Sequence, residues 1–460
     1  MTTSAGPTTS RRRSIRPRVA PPWVVTAAWA VVVIQVATGA GVLTARLTAP
    51  DLPRAAVAGA AQDRTVRGAG DREAAARTSA VTALLVRRAS ALIRRDRDAF
   101  LAGVDPRTPF RAAQARLFDA LAAVPLADVG YDLDPARALE LPPAAARRYD
   151  VPTWGAAVRM RYALAGYDGE PTAQEHYLTF VRRGGRWYLA ADSDFASAGQ
   201  RTARGLWDFG PVAAVRSRRV LVLGHPASLP LMRRILRTAD AAVPRVTRVW
   251  RDWPGRVVVL VPDSTTELRR LVEHAGDLSQ IAAVASADVG IDGGPPAGER
   301  VAINPGPFRS LSDFGRQVVV QHEITHVATR DVTSTNTPYW VAEGFADYVG
   351  YLDSGATVRS AARELGTDVR AGRLPKTLPM ERDFAGDSPR LARAYEASWL
   401  ACRVIAERIG RDGLVRFYRE VSEAAGTPAT ALTAALRTQL RMTPAEFVAA
   451  WRDHLRRELG

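Results

Sequence analysis

Two histidines one helical turn apart are the residues of this sequence best placed to do chemistry. They stand in Val318-Val319-Val320-Gln321-His322-Glu323-Ile324-Thr325-His326-Val327-Ala328. Four residues turn an α-helix by about 400°, so His322 and His326 leave one face and can bind one ion. Glu323 points to the flank of that face, where its carboxylate can hold a water as a general base without becoming a ligand. Two histidines need a further ligand. The segment Thr337-Pro338-Tyr339-Trp340-Val341-Ala342-Glu343-Gly344-Phe345-Ala346-Asp347-Tyr348 offers one in Glu343. Thr337 suits an N-cap and Pro338 the first helical position. Sixteen residues lie between His326 and Glu343, enough for the first helix to end near Arg330 and the second to return antiparallel. Asp347, one turn after Glu343, can accept the free ring N–H of a ligand histidine and so fix its orientation. Gly344 removes a side chain where two helices must approach. Two His and one Glu leave a fourth position open to water, the catalytic rather than the structural zinc pattern, and predict one Zn2+ per chain.

With these residues the chain resembles the gluzincin metallopeptidases, the thermolysin-like and aminopeptidase-like enzymes, and especially the peptidase MA-like group. The resemblance covers about 206–455, with specific residues only in 318–350. It implies zinc, Glu343 as third ligand, Glu323 as general base and Asp347 as the histidine's partner. It further implies that the strand before the zinc helix, Val301, Ala302, Ile303 and Asn304, lies along the cleft and pairs with an extended peptide. No Gly-x-Met-Glu-Asn segment precedes the zinc helix, so the amine-anchoring device of the aminopeptidases is missing. The metzincin pattern also fails, since Thr329 and Val332 stand where that class needs Gly and a third His. Related enzymes place a Tyr or His opposite the metal; Tyr395 is the candidate donor, with a plain buried helix tyrosine as the alternative.

The elements that must position these residues follow from apolar spacing. Strand, helix, strand, helix is the order from Val220, and from Pro307 onward the pattern is helical to Gly460. Earlier, Ser79–Leu92 and Pro109–Leu121 read as helices, and Ala156–Leu164, Tyr177–Val181 and Trp187–Ala191 as strands, the last two flanking Gly184-Gly185 as a hairpin. That unit, 79–198, resembles the ketosteroid-isomerase-like cone fold by element order. It shows no convergent acid/base pair, and His176 is read as a strand-face histidine. His225, His274 and His454 take surface or helix-end roles.

The chain has 460 residues and a formal charge of +16, carried by Arg with Lys376 as the one lysine. The arginines scatter over most elements instead of clustering with aromatics, which excludes a nucleic-acid partner. Cys402 is alone, which excludes an intrachain disulfide and Cys-rich zinc sites. No charge occurs from Pro21 to Ala45, and Arg11, Arg12, Arg13, Arg16 and Arg18 precede that run. It predicts a basic cytoplasmic tail 1–21, a transmembrane anchor 22–45 and a stalk 46–78, with a cleaved signal peptide as the alternative. The expected fold class is α+β: an N-terminal transmembrane helix, a small cone-like α+β domain at 79–198, then a thermolysin-like metallopeptidase domain at 206–460, a small mixed sheet plus helices with a helical C-terminal part. The expected function is a single-pass, membrane-anchored extracytoplasmic zinc peptidase acting on a peptide or protein; the rival is a zinc-binding envelope sensing or interaction protein with little turnover.

Overall fold

The computed structural model describes residues 60–272, 277–288 and 297–460. Three helices open it, α1 (Ala60–Arg94), α2 (Arg97–Ala102) and α3 (Phe110–Ala120). They cover an antiparallel sheet in which β1 (Leu126–Leu139), β2 (Thr153–Leu164), β3 (Thr172–Arg183) and β4 (Arg186–Ala191) lie in sequence order, with a short α4 (Pro143–Ala146) between β1 and β2. Val81, Leu84 and Leu85 of α1 recur at helical spacing and pack on Trp154, Val158, Leu178 and Phe180. Gly184 and Gly185 have φ of +53° and +77°, as the tight β3–β4 turn requires.

The second sheet is mixed, in the order β5 (Ala213–Arg216), β6 (Val220–Gly224), β7 (Val257–Val261), β9 (Ala297–Ile303), β8 (Ala283–Asp288). Its centre, β6-β7-β9, is parallel, and both outer strands run antiparallel. The crossovers carry α5 (Leu229–Val249) and α6 (Thr265–Leu271). Every residue of β6 is buried because both faces of this sheet are covered. Val220 and Val222 face α5 and the C-terminal helices, whereas Leu221 and Leu223 meet Leu206, Trp207 and the helices of the first unit. The remainder is helical: α7 (Pro305–Ser310), α8 (Asp313–Thr329), α9 (Tyr339–Gly350), α10 (Val358–Ala361), α11 (Arg363–Arg370), α12 (Leu391–Glu423), α13 (Pro428–Leu440) and α14 (Pro444–Leu459). Gly410, at φ +77°, bends α12.

The fold class needs correction on one point. Among the described residues no helix is long and apolar enough to cross a membrane. The two longest, α1 and α12, carry charged residues along their length, unlike a membrane span. The tail and the anchor expected at 1–21 and 22–45 lie outside the described residues. The described protein is therefore an α+β molecule of two sheets and many helices, and none of these helices supports the expected membrane anchor, membrane partner or single-pass extracytoplasmic placement. Residues 60–78, expected as part of a stalk, are the start of α1; the segment lacks an apolar period but is rich in helix-forming Ala and Arg.

Two buried polar contacts fix the frame. Arg300 of β9 donates from both Nη atoms to the two oxygens of Asp168, in the β2–β3 turn, each at 2.7 Å, with side chains 7% and 5% exposed. Such a pair is costly to break from one side. Expected in a surface or helix-end role, His225 caps a short 3-10 turn and is buried, because both ring nitrogens are needed inside: Nδ1 meets the Pro211 carbonyl at 2.8 Å and Nε2 meets Glu267 Oε1 at 2.7 Å. Both partners are acceptors, so both nitrogens donate and the ring is held as imidazolium. Burial opposes that charge, but the Pro211 carbonyl and Glu267 outweigh it and raise the pKa. His454 is also buried, with Nδ1 at 3.3 Å from Glu407; His274 lies outside the described residues.

Asp168→Ala should destabilise the protein by about 3–5 kcal/mol in urea unfolding, and Asp168→Ala with Arg300→Met should regain most of it, as when both members of a buried pair become apolar. A single-variant loss under about 1 kcal/mol would show that the pair is not holding the frame. Because the folded pKa of His225 is raised, its stabilisation is complete below the unfolded value of about 6.5 and is lost as pH rises through the folded value. His225→Gln should remove that part of the alkaline decline; an unchanged pH–stability curve would contradict the imidazolium.

Candidate metal centre

The centre is assembled by α8, α9 and α12. α8 starts cleanly at Ser312, whose hydroxyl accepts from the Gly315 amide at 3.2 Å. Its middle is buried all round, from Val318 to His326, because it runs between α5, α9 and β8. α9 returns beside it and is locked by Gln321 Nε2, which donates to the Val349 carbonyl at 2.5 Å. The start of α9 is one residue later than the sequence suggests, with Pro338 at the cap position. Thr337 does not cap the helix; its hydroxyl donates to Ser422 Oγ at 2.8 Å and ties the loop to α12. Gly344 is required by close approach: a Cβ there would run into the Ser398 carbonyl and the Cys402 sulfur of α12.

His322, His326 and Glu343 come together, all buried. The two Nε2 atoms are 2.9 Å apart, and Glu343 Oε2 is 3.4 Å from His322 Nε2 and 3.6 Å from His326 Nε2. Tetrahedral zinc with N and O ligands at about 2.0–2.1 Å separates its donors by about 3.3 Å, so the triangle fits one ion of that size. Glu343 Oε2 has no hydrogen-bond partner. Two imidazole nitrogens and a bare carboxylate oxygen, turned on one point in a dry interior, are a donor set that suits a divalent cation. His322 Nδ1 donates to Asp347 Oδ1 at 2.8 Å, which leaves Nε2 as the lone pair aimed at that point. Against burial, Asp347 and Glu343 favour a second proton on His322; a cation held at the triad would take the place of that positive charge. Burial pushes His326 down to about 4, into the neutral form that ligates.

Glu323 is wholly buried, and neither of its oxygens has a partner. Burial pushes its carboxyl up to about 8, with the Glu343 charge acting in the same sense and His322 against it. A cation at the triad would draw that value down again. Tyr395 lies on α12 with its ring centroid 6.2 Å from that of His322. Its hydroxyl is buried without a partner, and burial, then Glu343, Asp347 and Glu323, push the phenol well above its ordinary range.

The strand expected to receive a peptide does not fit. Val301 and Ala302 pair with β7 on one side and with β8 on the other, and Ile303 pairs with Ala283. Asn304 donates its amide N–H to Ala282, accepts from Thr265 Oγ1 at 2.7 Å and donates from Nδ2 to the Leu278 carbonyl at 2.7 Å. These groups are spent inside the sheet. The edge beside α8 is β8, Ala283–Asp288. Arg330, which the sequence marks only as the end of α8, sits at its C-cap, and His322, His326 and Arg330 share one spacing of four. Its guanidinium acts on His326, and burial lowers its own pKa despite Glu299, Tyr418 and Glu323 nearby.

No protein-family model and no curated protein matches the chain. Among solved structures it is similar to a two-domain M1 zinc metallopeptidase variant bound to L-arginine, at 15% identity and TM-score 0.30, over 60% of this chain and 58% of that one. It is likewise similar to an M1 zinc metallopeptidase from Deinococcus radiodurans, at 15% identity, TM-score 0.29 and the same coverage. The chain thus spans 58% of the length of these structures, and a likeness of this TM-score carries no argument here.

Proposed function

We propose that the chain is a zinc-dependent peptidase in which His322, His326 and Glu343 hold one Zn2+ and Glu323 is the general base. The observation that carries this reading is the donor triangle of 2.9, 3.4 and 3.6 Å with a partnerless buried carboxylate next to it. A merely structural site has no use for that fourth side chain. A zinc held there would supply a Lewis acid that polarises a carbonyl and acidifies a water, the chemistry of amide hydrolysis. Glu323 takes the proton from the attacking water as its oxygen bonds to the carbonyl carbon. The same carboxyl then gives that proton to the amine nitrogen as the C–N bond breaks. Asp347 keeps His322 in the tautomer whose Nε2 is free. Tyr395 donates its unused hydroxyl hydrogen to the carbonyl oxygen as negative charge grows there. An extended peptide is held by main-chain hydrogen bonds along β8, which among the described residues has no strand on its outer side.

Elemental analysis of the purified chain should find one zinc per chain, and His322→Ala or Glu343→Ala should lose most of it. Zinc retained in full by both variants would remove the ligand assignment. Glu323→Gln separates turnover from binding: zinc content and melting temperature should stay near those of the parent while hydrolysis of a broad peptide library falls by about 10² or more. A Gln variant as active as the parent excludes Glu323 as base, and zinc-loaded parent protein without any hydrolysis favours a binding protein.

A further inference from the structure

Arginines that scatter along the sequence are gathered by the second sheet at one place, the end where β6 and β7 begin. A tight turn joins β5 to β6, closed by the Ser217 amide donating to the Val220 carbonyl at 2.8 Å, with Arg218 and Arg219 at its two central positions. Arg216 pairs with Leu221. Val220 pairs with Val257, so Arg219 stands beside Arg256 just before the two strands start. Side chains in register share a face, and that face alternates along each strand. Leu221 and Val258 point to the first unit, so Arg216, Arg219 and Arg256 leave the sheet on that same side. They come from the ends of three neighbouring strands, which lie about 4.8 Å apart.

The turn that carries them is fixed. Tyr167, between β2 and β3, donates its hydroxyl to the Ser217 carbonyl at 2.6 Å, and Arg216 and Arg256 both act on this phenol from nearby. Ser217 Oγ donates to Asp240 Oδ1 at 2.7 Å and accepts from the Arg219 and Val220 amides, each at 3.1 Å. Arg216, Arg218 and Arg256 are exposed and Arg219 is half-buried. Among the described residues none of the four makes a side-chain hydrogen bond or an ion pair. The acids of the neighbourhood are engaged elsewhere or stand apart: Asp168 is paired with Arg300 at 2.7 Å, Asp240 accepts from Ser217, and Glu170, in the same turn as Asp168, pairs with none of the four. Like charges held side by side collect counterions, and a polyanion that displaces those ions binds with their release.

We propose that this arginine cluster at the end of the second sheet is a docking surface for a linear polyphosphate chain. The planar guanidinium fork suits phosphate oxygens. An extended acidic peptide turns alternate side chains away from a surface, so it would meet cations this closely set with half of its charges, whereas every unit of a polyphosphate carries one. The surface works without the metal centre.

The test is calorimetric titration of the full chain with short-chain linear polyphosphate at several salt concentrations. One site per chain should saturate, with log K falling against log salt at a slope of about −2 to −3, as three or four phosphate contacts give, and orthophosphate should not saturate. The triple variant Arg216→Gln/Arg219→Gln/Arg256→Gln should bind at least about tenfold more weakly and with a flatter slope. Taking the same charge from exposed positions elsewhere, in Arg116→Gln/Arg147→Gln/Arg186→Gln, should change affinity by no more than about twofold, since distant surface charges are screened. Should the first triple variant fail to fold, Arg216→Gln and Arg256→Gln singly, both at exposed positions, should each weaken binding about threefold. Equal losses in the two triple variants would reduce the effect to net charge and overturn the proposal, as would saturation by orthophosphate or binding that survives loss of the three arginines. Duplex DNA or anionic lipid vesicles bound as tightly as polyphosphate would give the surface to another partner and overturn it as well.

Discussion

Five ionisable side chains, His322, Glu323, His326, Glu343 and Asp347, share a pocket of protein from which water is almost wholly excluded. At low effective dielectric, three carboxyl groups in one place cannot all be ionised without positive charge among them. Much of the C-terminal half can be read as the device that holds this cluster together in spite of its cost. α8 is buried on every side around its centre, α9 is pinned to it through Gln321, and α12 presses against α9 where Gly344 has no side chain. Trp250 packs edge to face on Phe345 and on Tyr418, which lie tilted against each other, and the three rings fill the space behind that contact. The precision of a donor triangle is set by such supporting atoms more than by the three ligands themselves.

The same sheet serves two masters. One face supports α5 and the helices that carry the cluster, and the other is roofed by the first unit through Leu221, Leu223, Trp207 and Tyr162. The Arg300–Asp168 pair runs from β9, next to the β8 edge, into the β2–β3 turn, and the Tyr167 hydroxyl donates to the Ser217 carbonyl at 2.6 Å. A strand beside the proposed peptide edge is therefore braced by the other unit.

The cluster was legible in the sequence because its geometry is local. A spacing of four places His322 and His326, and the same spacing sets Glu343 below Asp347; neither depends on distant packing. Helices from Pro307 onward were also readable from apolar spacing. What depends on pairing was not. β9 contains Val301, Ala302 and Ile303 and reads as a strand, but nothing in those residues says that β8 covers its open side. β1, Leu126–Leu139, escaped notice because Asp128, Asp132, Asp134 and Pro135 break any alternation, and only β2 supplies its register. The buried positions of His225 and His454 were hidden for a similar reason: Pro211, Glu267 and Glu407 are far from them in sequence. The apolar run before Arg46 has no counterpart among the described helices.

Cys402 has a bearing on how this core can be watched. The thiol is fully buried on α12, against the backbone of α9 where Val341 and Gly344 pass it. A sulfur so placed meets an alkylating reagent only when α9 and α12 part, so its labelling rate counts openings of the helix pair that carries Glu343. Any ligand that favours the closed form slows the count by its own binding free energy. The lone cysteine thus makes the chain its own clock for the lifetime of the assembled centre, with no foreign probe installed.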